Sequence, residues 1–183
     1  MNIGIGKPRK RPAKKILMLI DWDNLSLNMD LPPSESRVEG FNQLIKQITQ
    51  EVGEIAIVVV FLPPNLAHLV AEDMYGLGFF IMICPKIKDK KGVRQDMTDR
   101  TIIDFGKKMI ALIPDLTHLC LGSGDKDFIP LIREATLKGL KIMIVAGNRK
   151  SLSQELVGLA DEKDDGQKLI YLFSPQSQEE FVL

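Results

Sequence analysis

The sequence predicts an α/β fold: a three-layer, doubly wound, mainly parallel sheet in a single domain. Three observations carry that expectation. Five short apolar runs rich in Ile and Val recur along the 183 residues, each of a length that suits a strand buried on both faces. Segments with helical apolar periodicity separate them. The links are short, and a strand–helix–strand alternation of this kind closes with right-handed crossovers.

Taken in order, the first run is Ile16 to Ile20, and it ends directly on Asp21. Ser34 or Ser36 can cap the helix that follows, whose Phe41, Leu44, Ile45 and Ile48 share one face. The second strand is expected at 55–62. After it, Leu66, Leu69, Val70 and Met74 mark a helix closed by Gly76 and Gly78. A third strand at 79–84 leads through a charged link to a helix that Thr98 or Asp99 can open, with Ile102, Ile103, Phe105 and Met109 as its apolar positions. The fourth strand, 117–122, is followed by a helix carrying Ile129, Leu131, Ile132 and Ala135, which Gly139 ends. The fifth strand is 140–146. A short helix near Leu152 to Leu159 and an edge strand at Leu169 to Leu172 complete the set.

Composition bounds the class. The chain is 45% hydrophobic and 26% charged, which excludes a fibrous or wholly disordered protein. Its formal net charge is zero, but residues 1 to 15 hold six cations and no acid, leaving 18 basic against 24 acidic residues in the rest. The expected organisation is a basic tail over 1–14, a domain over 15–173 and a polar tail over 174–183. The basic segment suits either a phosphate-following arm or a solubilising terminus. Met1 to Lys15 has no apolar h-region and no run reaches the roughly 18 apolar residues of a membrane span, so a cytoplasmic location is expected. Cys84 and Cys120 form no CxxC pair and read as buried thiols in a reducing compartment. With His68 and His118 scattered, no zinc spacing exists, and both histidines read as structural.

Two acidic clusters carry the chemistry. Asp21-Trp22-Asp23-Asn24 follows the first strand and Ser123-Gly124-Asp125-Lys126-Asp127 follows the fourth. In a parallel sheet these ends gather at one crevice, and carboxylates packed there call for a divalent cation, a basic ligand or shared protons. Carboxylate and water oxygens suit Mg²⁺ or Mn²⁺. The link Lys88 to Asp99 brings further acids and bases to the same rim. Within it, Asp99 falls at a helix N-terminal turn, where the macrodipole favours a carboxylate. Asp104 is about 140° further around that helix, and Asp96 is a loop acid. Each acid also has a plain alternative as a helix or turn cap. Trp22 suits base stacking or, more simply, the core. Neither GxGxxG after a strand nor a P-loop is present.

At these residues the chain resembles NYN-domain proteins of the LabA-like group, within the PIN-like nucleases. The resemblance runs from Lys15 to about Asp161. It is carried by Ile20-Asp21-Trp22-Asp23-Asn24-Leu25, by Lys91 with Asp99 and Ile102, and by Ser123-Gly124-Asp125-Lys126-Asp127-Phe128 with Pro130-Leu131. Gly139, Leu156 and Ala160-Asp161 fit the family's ending. The middle motif departs, with Val93-Arg94-Gln95-Asp96 and then Thr98-Asp99 in place of a Val-Asp pair; Asp99 has the better spacing to the following apolar residue. The resemblance implies a sheet order 3-2-1-4-5, counting the five expected strands, and metal-dependent hydrolysis of RNA phosphodiesters. Asp21, Asp99, Asp125 and Asp127 would hold Mg²⁺ or Mn²⁺ as catalytic residues. Asn24 and Ser123 would orient a water or phosphate, and Lys88, Lys90, Lys91 and Arg94 would approach backbone phosphates, with Lys126 a weaker contributor. Two rivals remain: a haloacid-dehalogenase-like phosphohydrolase using Asp21 as nucleophile, and a non-catalytic RNA-binding module of the same fold. Exposed apolar surface on an edge strand would also allow a homodimer.

Overall fold

The computed structural model describes residues 14–29, 36–88 and 94–173. The two expected tails lie outside the described residues, apart from Lys14. Strands β1 (Lys15–Asp21), β2 (Glu54–Leu62) and β3 (Phe80–Ile83) alternate with helices α1 (Trp22–Leu27), α2 (Arg37–Glu51) and α3 (Pro64–Gly76). A small hairpin, β4 (Lys86–Lys88) and β5 (Arg94–Asp96), precedes α4 (Thr98–Leu112). Then come β6 (His118–Gly122), α5 (Ile129–Leu137), β7 (Lys141–Ala146), α6 (Gln154–Leu159) and β8 (Ile170–Leu172).

Six strands form one parallel sheet in the order β3-β2-β1-β6-β7-β8. This is the expected 3-2-1-4-5 order extended by the edge strand. β1 is central because β2 and β6 take its two edges and helices cover both faces. Ile16 through Ile20 are therefore all 0% exposed, each contributing roughly 1.5–3 kcal/mol of burial. Alternation splits the core: Ile16, Met18 and Ile20 pack with α1, α2 and α3, and Leu17 and Leu19 pack with α4, α5 and α6. Trp22 belongs to the first of these layers, 2% exposed and edge-to-face with Phe41 at 5.7 Å. It is core, unavailable to a base. Ser36 caps α2 as expected.

Two local features depart from the sequence expectation. α1 starts with no intervening loop, because Asp21 is at once the last residue of β1 and the N-cap of the helix, accepting from the Asn24 N–H at 3.2 Å. The charged link after β3 folds partly into the β4–β5 hairpin, with Lys86 registered on Asp96 and Lys88 on Arg94. It follows the carboxyl end of edge strand β3, at the same end of the parallel sheet as the ends of β1 and β6. Cys84 and Cys120 are buried thiols outside any disulfide. Among the described residues no helix is long and apolar enough to cross a membrane.

Candidate nucleic-acid-processing site

The register fixes the centre of the site. Ile20 of β1 lies opposite Gly122 of β6, so Asp21 and Ser123 leave adjacent strands side by side. The two loops are fastened to each other: the Gly124 N–H donates to Asn24 Oδ1 at 3.3 Å. Ser123 is fully buried, and its Oγ accepts from the Asp125 N–H at 3.2 Å. Its hydroxyl thus braces the loop from below. Asp125 caps a short 3-10 turn over Lys126–Phe128, its Oδ1 accepting from the Asp127 N–H at 3.0 Å.

Close backbone packing joins the next strand end to this pair. A Cβ on Gly124 would sit 1.8 Å from the Ser151 carbonyl oxygen, and one on Gly147 2.4 Å from the Asn28 backbone. Only glycine permits such approaches. Asn148 completes the join, donating from Nδ2 to the Asn28 carbonyl at 2.8 Å while its Oδ1 accepts from the N–H groups of Lys150 and Ser151. Asn28 in turn donates to the Asn24 carbonyl at 2.7 Å. The ends of β1, β6 and β7 are one hydrogen-bonded platform.

Three of the expected acids, Asp99, Asp125 and Asp127, sit on this rim in two adjoining depressions. One, of about 400 Å³, is lined by Asn24, Asp125, Lys126, Lys150, Ser153 and Glu155 among others. The second, of about 530 Å³, is lined by Asp99, Arg100, Ile103, Lys126, Asp127, Ile129 and Pro130. Lys126 is the shared wall. Asp21, only 6% exposed, is set into the sheet end and lines neither. Asp99 occupies the first turn of α4 as expected, whereas Asp104 is exposed one turn on and pairs with Arg100 at 3.8 Å. Lys88 and Arg94 are placed on the hairpin by its register, and Lys91 with Lys90 lies outside the described residues.

The donor chemistry of this rim fits a hard cation, since it offers oxygens and no imidazole. Among the described residues no three His, Cys, Asp or Glu side chains converge on one point. Mg²⁺ keeps several waters and takes one or two protein carboxylates, so the spread acids are compatible with it. Residues not anticipated from sequence are Lys150, Ser153 and Glu155 after β7, and the apolar trio Ile103, Ile129 and Pro130. The Asn148-to-Ser151 capping box was the available signal for the former.

A third depression, about 480 Å³, opens at the opposite ends of the strands, lined by Lys14, Glu51, His118, Lys141, Lys163 and neighbouring acids. Burial, reinforced by Lys14 and Lys141, pushes His118 down to about 4, so it is neutral at pH 7. None of the described site residues lines this depression.

Comparison with known proteins agrees with the geometry. A family model described as "NYN domain" matches residues 15–163. An uncharacterized protein of Methanocaldococcus jannaschii is 27% identical over 159 residues, which is 85% of this chain and 57% of that protein. The chain thus spans little more than half the length of that relative.

Proposed function

This chain belongs to the NYN domain family, within the PIN-like nuclease superfamily, and from that premise we propose that it is a metal-dependent ribonuclease. The single observation that carries the proposal is the adjacency of Asp21 and the Asp125-Lys126-Asp127 turn at the ends of paired strands β1 and β6. A LabA-like affiliation, a cytoplasmic setting and self-association through the exposed β3 edge belong to the same proposal.

In this reading Asp21, Asp99, Asp125 and Asp127 hold Mg²⁺ or Mn²⁺, directly or through waters. Such an ion, when bound, supplies Lewis acidity toward the phosphate and a lowered pKa for an attacking water. The remaining work falls to the chain itself. Asn24, fastened to Gly124, and Ser123, beneath Asp125, keep the carboxylates in position. Lys126 faces both depressions and offsets phosphate charge, and the cations of the link before α4, Lys88, Lys91 and Arg94, would draw the backbone toward the rim. A second reading, an RNA-binding module without turnover, draws support from the separation of the acids across Lys126.

The test is cleavage of single-stranded and structured RNA with Mg²⁺ or Mn²⁺. Asp21→Asn and Asp125→Asn are each expected to slow it at least about 100-fold. Activity that survives both changes, or that ignores EDTA, overturns the nuclease proposal. Salt-dependent RNA binding without cleavage by the wild type selects the binding module, and a trapped phospho-aspartate at Asp21 selects a phosphohydrolase.

A further inference from the structure

The two depressions either side of Lys126 differ in chemistry. The one toward β7 is floored by polar loop residues. The one between the first turns of α4 and α5 is lined by apolar Ile103, Ile129 and Pro130 together with Arg100, Asp99 and Asp127. Ile103 and Ile129 are only partly buried, packed on the core and open to the depression. A bare phosphate gains nothing from such an apolar lining.

We propose that this depression receives an unpaired nucleobase adjoining the scissile phosphate and so sets the base preference of the site; the inference rests on the ribonuclease reading above. A nucleobase has the matching anatomy, with apolar faces and edges that both donate and accept. Its faces lie against the Ile103, Ile129 and Pro130 aliphatic surface. Its acceptor edge meets the Arg100 guanidinium, leaving Asp99 and Asp127 to the metal. Arg100 is available for this because its pair with Asp104 is long, at 3.8 Å, and exposed on both sides. The volume, about 530 Å³, falls in the roughly 300–1,000 Å³ range of small-molecule sites. Continuity with the proposed catalytic rim comes from Lys126, which walls both depressions and would hold the phosphate between them.

The experiment is equilibrium binding, in EDTA, of labelled ten-nucleotide oligouridine, oligoadenosine and an abasic ribose-phosphate oligomer, using the full chain. The wild type is expected to bind at least one base-bearing oligomer roughly tenfold more tightly than the abasic one, as the loss of a stacked base implies. Ile103→Asn, which adds no charge, closes that gap and leaves the salt slope unchanged. Arg100→Gln, a surface change that keeps the apolar lining, alters the ranking of the two bases. Equal binding of abasic and base-bearing oligomers, a gap and ranking untouched by both variants, or no RNA binding at all overturns the pocket assignment. The two proposals separate cleanly: a base-dependent gap without metal-dependent cleavage sinks the nuclease and keeps the pocket, whereas cleavage without a gap does the reverse.

Discussion

Asp99 and Asp104 lie on one helix but in different environments, and that difference assigns them different consequences. Asp99 lines the depression beside Asp127, and Asp104 is exposed with Arg100 as its partner. Asp99→Asn is expected to lower RNA cleavage at least about tenfold, and Asp104→Asn to leave it within about twofold. A parallel Asp96→Asn assay completes the comparison, because a larger loss there moves the helix-borne role off Asp99. Gly124 is the most constrained backbone position at the site, with the Ser151 carbonyl where a Cβ would go. Gly124→Ala is expected to cost about 1–3 kcal/mol in urea unfolding, the usual range for overpacking. An unchanged midpoint would mean that the β6 and β7 loops part easily.

Edge strand β8 is held by a polar latch as well as by pairing. Glu51, at the end of α2, accepts from Lys163 at 2.8 Å, from Tyr171 at 3.0 Å and from Gln47 at 2.8 Å. Burial alone would raise the Glu51 carboxyl, and these hydrogen bonds outweigh it and hold the group below its ordinary range. The latch is therefore present at neutral pH and is lost in acid, as the carboxylate is protonated. Glu51→Ala is expected to cost about 1–2 kcal/mol and to expose β8 amides first in hydrogen exchange. If β8 keeps its protection, pairing to β7 alone holds it.

Legibility also divides at the level of elements. The six strands of the main sheet were readable because each is an apolar run, and Ser36 was readable as a cap because its residue type announces it. The β4–β5 hairpin was not, since three-residue strands such as Lys86-Ile87-Lys88 carry no usable alternation. α1 was hidden because Asp21 serves the strand and the helix together. The acids of the site were visible as residue types at strand ends. The apolar lining beside them was not, because Ile103 and Ile129 look like ordinary core positions of amphipathic helices.

For the whole molecule, the opposed sheet ends divide the labour between candidate site and stability. His118, at the end away from the acids, is 3% exposed and lowered to about 4 from an ordinary 6.5. Its neutral form is the one the fold accommodates. Stability is expected to be complete above about pH 6.5, to fall as pH drops toward 4 while the unfolded chain takes up the proton, and to flatten below that. The loss is roughly 3 kcal/mol. His118→Gln should remove this component from a stability profile between pH 4 and 7; a profile unchanged by the substitution assigns the pH dependence to other groups.

The two buried thiols give each molecule an internal clock for its own opening. Cys120 lies at the middle of β6, flanked by β1 and β7, and burial pushes its thiol well above the ordinary range. An alkylating reagent reaches it only when the sheet comes apart, so its labelling rate measures global unfolding. Cys84 is equally buried, but it lies just past edge strand β3, which is paired on one side alone. Under native conditions Cys84 should label first, and the interval between the two events measures how independently the β3 edge can fray from the centre that holds Asp21.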